Sequence, residues 1–182
     1  MIIKDLATCN KKYQIVYADP PWHYSGGIRS SRKVEGKYVF YTPDTTIGNS
    51  YSTMSLNDIK KLPVNDLAAD DCILFLWTTD SHLPQALEVI TAWGFIYKTV
   101  GFIWNKKEQG GKQVCYYGKW TMKGSEICLL ATKGKMHNHI VSHKVRQLVE
   151  ATRDRKVHSG KTSEVRDRIV QLMGDLPRIE LF

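Results

Sequence analysis

Unbroken apolar runs recur along the chain and predict its strands. A run of about four to eight apolar residues is typical of a strand that is buried on both faces. The clearest examples are YQIVYA and CILFLW. Together the runs predict strands at residues 13–18, 72–77, 97–104, 126–132 and 178–182.

Between these runs, apolar residues recur at the spacing of one helical face. Leu56 and Leu62 fit a helix that Pro63 ends, because proline interrupts the backbone hydrogen bonds of a helix. The same spacing predicts helices that begin near residues 83, 145 and 165, and Gly94 is placed to end the first of these.

This alternation of strands and helices predicts an α/β fold. Strands that are apolar throughout need cover on both faces, which is typical of a mostly parallel, doubly wound sheet flanked by helices. The 182 residues contain no repeat and no low-complexity tract, so we predict a single domain over residues 1–182. Two long polar segments, 22–55 and 105–123, are predicted to be loops, and loops of this length are often functional.

The segment DPPWHY directly follows the first predicted strand. Pro20 and Pro21 restrict the backbone and lack N–H groups, so they predict a stiff turn with carbonyl oxygens free to accept hydrogen bonds. Asp19 adds a carboxylate at the carboxyl end of a strand, where doubly wound sheets bind ligands. These acceptors can satisfy both N–H groups of a primary amine, and Trp22 and Tyr24 offer flat faces on which a base can stack. An ordinary Asp-Pro turn beside a core tryptophan is the alternative.

The charge balance indicates the kind of partner that the protein binds. Lys and Arg number 26, and Asp and Glu 18, which gives a net charge of +8. A basic protein suits a polyanionic partner, because phosphate contacts supply much of the affinity for DNA or RNA. The candidates for such contacts are Arg29 and Arg32 in the first loop and Lys106, Lys119 and Lys123 in the second. The alternative is a solvated basic surface.

Other classes of protein are disfavoured. The four cysteines have no zinc-type spacing and are expected to be reduced thiols. His137, His139 and His143 are more typical of a polar loop than of a metal site, so we predict no metal. No apolar run approaches the roughly 20 residues of a membrane span, and residues 1–12 do not resemble a signal peptide. We therefore expect no membrane partner and a cytoplasmic location, or a nuclear one in a eukaryote.

The DPPW at residues 19–22 resembles a motif of the MT-A70-like S-adenosylmethionine-dependent adenine-N6 methyltransferases of nucleic acids. The resemblance continues, in the family's order, through residues 74–106, 118–134 and 158–182. It implies a Rossmann-like methyltransferase fold in permuted order, with the DPPW strand first and the cofactor strand last. It also implies S-adenosyl-L-methionine as cofactor and N6-methylation of adenine, with DNA favoured over RNA.

The same resemblance assigns roles to particular residues. Asp19 and the Pro20 carbonyl hold the amino group on a turn completed by Pro21, Trp22 shapes the adenine pocket, and Glu126 lies near that pocket. The residues expected to contact the cofactor are Asp19, Lys161, Glu180 and Phe182. For Lys161 the alternative is a solvated lysine at the start of a helix that Thr162 or Ser163 caps, and for the two glutamates it is a strand charge that faces water.

Two functions remain open at this point. The first is an active methyltransferase, in a homodimer or heterodimer that forms through loop 105–123. The second is a catalytically silent, nucleic-acid-binding partner subunit with the same fold. The intact Asp19 favours the first, since a silent subunit does not need this carboxylate.

Overall fold

The computed structural model of the chain describes residues 10–23, 30–35, 37–41, 53–118, 120–153 and 160–182. For residues 30–33 and 38–41 it describes the backbone alone. Within these ranges, no helix has the length and apolar character that a membrane span needs.

The described elements follow one another as strands and short helices. The strands are β1 (Tyr13–Ala18), β2 (Ser30–Val34), β3 (Lys37–Tyr41), β4 (Ala68–Thr78), β5 (Ile96–Lys107), β6 (Ser125–Lys133), β7 (Leu148–Thr152) and β8 (Arg178–Leu181). The helices are α1 (Leu56–Lys60), α2 (Val64–Leu67), α3 (Leu83–Ala92) and α4 (Ser163–Met173), with 3₁₀ turns at Asp80–His82 and Met136–His139.

A six-stranded sheet with the order β7-β5-β6-β4-β1-β8 forms the centre of the described fold. β1 is parallel to both of its neighbours, and β7 is parallel to β5. β6 is antiparallel to β4 and to β5. The predicted α/β class with a mostly parallel sheet is therefore confirmed, whereas the permuted methyltransferase order stays a proposal.

Side-chain alternation along the central strands builds a core on each face of the sheet. On one face, Val16 and Leu74 pack in a cluster that includes Ile90 of α3 and Ile59 of α1. On the other face, Ile15, Tyr17 and Phe75 pack in a second cluster with three apolar residues of α4, which are Val165, Ile169 and Met173. Helices thus cover both faces, as the fully apolar strands predicted.

Two local predictions are wrong. The segment near residues 145–149 is not a helix, because residues 148–152 form the edge strand β7, in which Leu148 is exposed and Val149 is buried. An edge strand with one neighbour needs few apolar residues, so its pattern is easily mistaken for a helical one. The first polar segment, residues 22–55, is not entirely a loop, since β2 and β3 form an antiparallel hairpin within it.

Candidate active site

The turn after β1 lies at the carboxyl edge of the sheet. Asp19 N–H donates to the Leu181 carbonyl at 3.2 Å, which continues the pairing of β1 with β8 by one residue. The Pro20 carbonyl accepts from Trp22 N–H at 2.8 Å, and the Pro21 carbonyl accepts from Met54 N–H at 2.9 Å. The expectation that both carbonyls are free is therefore wrong. Because a carbonyl oxygen has two lone pairs, each can still accept a second hydrogen bond.

Four charged side chains meet beside this turn, and we call Asp19, Lys161, Glu126 and Lys106 the charge cluster. Lys161 Nζ lies 2.6 Å from Asp19 Oδ2 and 3.2 Å from Glu126 Oε2. Lys106 Nζ pairs with Glu126 Oε1. The Lys161 side chain is 6% exposed and that of Asp19 27%. The side chains of Lys106 and Glu126 are each 15% exposed, so the cluster forms a shielded network with two cations and two anions.

The topology of the sheet explains how these residues meet. Asp19 follows the end of β1, and Lys106 lies near the end of β5. Glu126 lies near the beginning of β6, and because β6 runs antiparallel its beginning reaches the same edge of the sheet. Lys161 comes two residues before α4, whose first turn is capped by the Thr162 hydroxyl, as expected.

The cluster shifts the pKa values of its two carboxyl groups in opposite directions. Burial raises the pKa of Asp19 above its ordinary value, although Lys161 opposes the shift. Burial acts on Glu126 in the same direction, but Lys161 and Lys106 together bring the pKa of this carboxyl below its ordinary value. Burial disfavours the charged amine of Lys161, yet the two carboxylates raise its pKa. Glu126 is thus held as a carboxylate, and Asp19 is a more basic acceptor than an ordinary aspartate.

Aromatic side chains form the wall behind the turn. Trp22 is buried, its Nε1 donates to the Trp77 carbonyl at 3.1 Å, and its ring stacks on His82 at a centroid distance of 5.8 Å. Lys161 Nζ lies 5.7 Å from the centroid of the Trp77 ring. Trp77 Nε1 in turn donates to the Tyr17 hydroxyl at 2.6 Å. The turn and the charge cluster are therefore fixed to the core.

Comparison with known proteins identifies the family. A model of the MT-A70 family matches residues 13–182 of the chain. The chain belongs to the MT-A70 family. The resemblance noted in the sequence is thereby confirmed, and with it the assignment to a family of methyltransferases.

Two relatives show how far the similarity to individual MT-A70-like proteins extends. The type II methyltransferase M.MunI of a Mycoplasma species is 36% identical over 176 residues, which are 94% of this chain and 72% of that protein. The mouse N(6)-adenine-specific methyltransferase METTL4 is 27% identical over 105 residues, which are 52% of this chain and 18% of that protein.

The structure places the predicted site residues of this MT-A70 chain in two groups. Asp19, Lys161 and Glu126 meet in the charge cluster. Glu180 lies in the neighbouring strand β8, where its Oε2 accepts a hydrogen bond from Arg166 Nε at 2.9 Å, and Phe182 follows this strand half-exposed. Trp22 is at the turn but faces the core, so it is a wall of the site more than an open stacking surface.

Four other predicted residues lie wholly or partly outside the described part of the structure. Tyr24, Arg29 and Lys119 are outside the described residues, and Arg32 is described through its backbone, which pairs with Val39 in the hairpin. No group of three or more His, Cys, Asp or Glu side chains in the described part of the chain is arranged to hold a metal ion.

Sequence reasoning missed the position of Lys106. Its place in a basic, polar segment groups it with surface lysines, yet its side chain turns inward to Glu126. One available signal was its place near the end of a predicted strand, the same position relative to the sheet that singled out Asp19. Lys123 also makes specific contacts, because its Nζ lies 2.9 Å from Asp80 Oδ1 and 2.8 Å from Ser81 Oγ in the turn after β4.

Proposed function

We propose that this MT-A70 chain transfers a methyl group from S-adenosyl-L-methionine to the N6 amino group of adenine in nucleic acid, with DNA favoured over RNA. The observation that carries the proposal is the Asp19 carboxylate, held by Lys161 at 2.6 Å at the carboxyl edge of the sheet. The relatives support the reaction, since one is named a type II methyltransferase and the other an N(6)-adenine-specific methyltransferase. The net charge of +8 supports a polyanionic substrate.

The fit of S-adenosyl-L-methionine rests on the chemistry at the ends of β1 and β8. Carboxylates of Asp19 and Glu180 can accept hydrogen bonds from ammonium or hydroxyl groups, and the half-exposed ring of Phe182 offers an apolar face for a purine. Lys161 can bind a carboxylate. When bound, this cofactor supplies a methyl group that is activated by a sulfonium charge.

The contribution of the chain itself is to hold and orient the amino group. One N–H can donate to the Asp19 carboxylate and the other to the second lone pair of the Pro20 carbonyl, which fixes the direction of the nitrogen lone pair. Lys161 does not have to leave Asp19, because an ionised carboxylate has about four lone-pair sites. The raised pKa of Asp19 makes its oxygen a better acceptor as the amino N–H becomes more acidic.

The same proposal requires that the target adenine leaves the base stack and that a surface of the protein binds the nucleic-acid strand around it. An adenine inside a duplex has to be flipped out before its amino group can reach a recessed carboxylate. Trp120, whose side chain is 89% exposed, and the exposed Tyr117 lie in the second loop, from which Lys123 reaches the turn after β4. These rings can stack on bases or contact a second subunit, so a dimer through loop 105–123 belongs to the proposal as well.

Transfer of labelled methyl groups tests the function. The protein is incubated with labelled S-adenosyl-L-methionine and adenine-containing DNA or RNA oligonucleotides, and the digested product is examined for N6-methyladenine nucleoside by mass spectrometry. We expect transfer to DNA in preference to RNA and loss of transfer in Asp19→Asn, which keeps the shape of the side chain but removes its charge. Absence of transfer to both nucleic acids, with binding retained, would instead identify the silent partner subunit.

A further inference from the structure

Lys106 is fixed in place by its backbone and by its side chain. Its N–H donates to the Gly124 carbonyl at 3.0 Å, and its own carbonyl accepts from Val114 N–H at 2.9 Å. Its Nζ pairs with Glu126 and lies 4.9 Å from the centroid of the Trp104 ring. A lysine held in this way near the end of a strand is part of the site and not of the solvated surface.

The charges of the cluster explain what this lysine does. Lys161 lies between two carboxylates, and it is closer to Asp19, at 2.6 Å, than to Glu126, at 3.2 Å. Lys106 contributes the second cation, which satisfies Glu126 from the other side. Without Lys106, the cluster would carry two anions and one cation, and both carboxylates would compete for Lys161.

We propose that Lys106 is a positioning residue, which pairs with Glu126 and thereby leaves Lys161 to hold the Asp19 carboxylate in its accepting orientation. The inference rests on the proposed function, because it assigns to Asp19 the role of acceptor for the amino group. Lys106 acts through Glu126 and Lys161 and needs no contact with the substrate.

The adjacent residue provides a matched control. Lys107 also belongs to β5 and carries the same charge, but alternation along the strand turns it to the opposite face. Its Nζ lies 2.9 Å from Glu150 Oε1, and Glu150 is largely exposed. Lys107→Met thus removes one positive charge at the next position in the sequence without changing the charge cluster.

The test compares the pH dependence of kcat/KM for Lys106→Met, Lys106→Arg, Lys107→Met and the native protein. Loss of a nearby cation raises the pKa of a carboxyl group. In Lys106→Met, the acid limb of the profile, where activity increases with pH, should therefore shift to higher pH. A shift of about one pH unit lowers kcat/KM by up to about tenfold on the acid side. We expect most of this loss in kcat, restoration by Lys106→Arg, and an unshifted acid limb for Lys107→Met.

A second background shows whether Lys106 acts through Glu126. In Glu126→Gln, no carboxylate is left for Lys106 to satisfy, so adding Lys106→Met should shift the acid limb by much less than it does in the native background. The small remaining shift is the direct effect of the Lys106 charge on Asp19. This double variant also avoids an unpaired buried carboxylate, which keeps the comparison possible where Lys106→Met alone does not fold. A shift as large in the Glu126→Gln background as in the native background would overturn the proposed route.

The result that overturns the inference differs from the one that overturns the function. Methyl transfer by the native protein, with identical pH profiles for Lys106→Met and Lys107→Met, would refute the role of Lys106 and leave the function standing. Where the native protein transfers no methyl group, carboxyl ¹³C NMR titration decides. A higher pKa of Glu126 in Lys106→Met than in Lys107→Met supports the electrostatic arrangement, and equal values refute it.

Discussion

Replacing Lys161 by methionine removes the cation that lies between two carboxylates but keeps the apolar stem of the side chain. In the native cluster, Lys161 Nζ lies within 3.2 Å of both Asp19 and Glu126, and its side chain is almost fully buried. The variant would leave the two carboxylates facing each other, with Lys106 as the remaining cation of the cluster. We expect a large loss of stability, because an uncompensated buried charge is more costly than a missing contact.

The size of this loss of stability follows from the burial of Lys161, Asp19 and Glu126. Breaking a buried ion pair by removing one partner costs about 3–5 kcal/mol. Asp19 is 27% exposed, so water screens part of its charge, and uptake of a proton by this carboxyl limits the cost further. We therefore expect the lower end of the range, a loss of about 3 kcal/mol in the free energy of unfolding.

The assay is urea unfolding followed by far-ultraviolet circular dichroism. With a slope of about 2 kcal/mol per molar urea, the midpoint should fall by about 1.5 M while the slope stays unchanged. Lys60→Met is a suitable control, since Lys60 pairs with Glu88 at 3.0 Å on the surface, and such a pair contributes about 0–1 kcal/mol. A loss in Lys161→Met no larger than that of the control would refute the account of a shielded cluster.

The pH dependence of this loss provides a second check. The pKa of folded Glu126 is lowered, so its contribution to stability is present above the ordinary pKa and disappears as the pH falls through the lower value. The pKa of folded Asp19 is raised, so ionisation of this group in the folded protein costs stability, which falls as the pH rises from the ordinary pKa to the raised one. The difference between native protein and Lys161→Met should therefore shrink in acid, and a difference that stays constant with pH would contradict an electrostatic cause.

Two further predictions concern backbone strain at a glycine and a buried hydrogen bond. Gly134 has φ +68°, and a Cβ there would collide with the backbone carbonyl oxygen of Asp70 as well as with Asp71 Oδ1. Because a backbone oxygen cannot turn aside as a side chain can, Gly134→Ala should lower the free energy of unfolding, measured in urea, by about 2 kcal/mol. Gly111→Ala, at φ +84° with no atom near the new Cβ, should cost less, and equal losses would refute the role of the collision. Trp22→Phe leaves the buried Trp77 carbonyl without the indole donor at 3.1 Å and should cost about 1–3 kcal/mol by the same measurement, whereas no loss would show that water replaces the bond.

The sequence allows the central strands and the edge strand β8 to be predicted, but not the other edge strand, β7. β1 and β4 lie between two neighbours and under helices on both faces, so residues 13–18 and 72–77 are almost all apolar and the pattern there is unambiguous. β7 has one neighbour and alternates between exposed and buried positions over five residues. A pattern so short fits a helical spacing equally well. The segment is a strand because it pairs in parallel with β5, and its own residues do not encode that pairing.

The candidate site shows the same division. Asp19 was recognisable because a carboxylate at the end of an apolar strand and two prolines stand together in the sequence. The pair of Lys106 and Glu126 was not recognisable, because it joins residues 20 positions apart through the register of β5 and β6. Propensity and spacing describe each strand by itself, whereas a contact between two strands depends on how the whole sheet assembles.

The direction of β6 is what brings the charge cluster together. β6 has nine residues, and strands rise by about 3.3 Å per residue, so its two ends are separated by roughly 26 Å. Were β6 parallel to its neighbours, Glu126 would lie at the opposite edge of the sheet from Asp19 and Lys106. The antiparallel strand therefore does more than complete the sheet: it delivers the carboxylate that Lys106 and Lys161 share, and through them it sets the environment of Asp19.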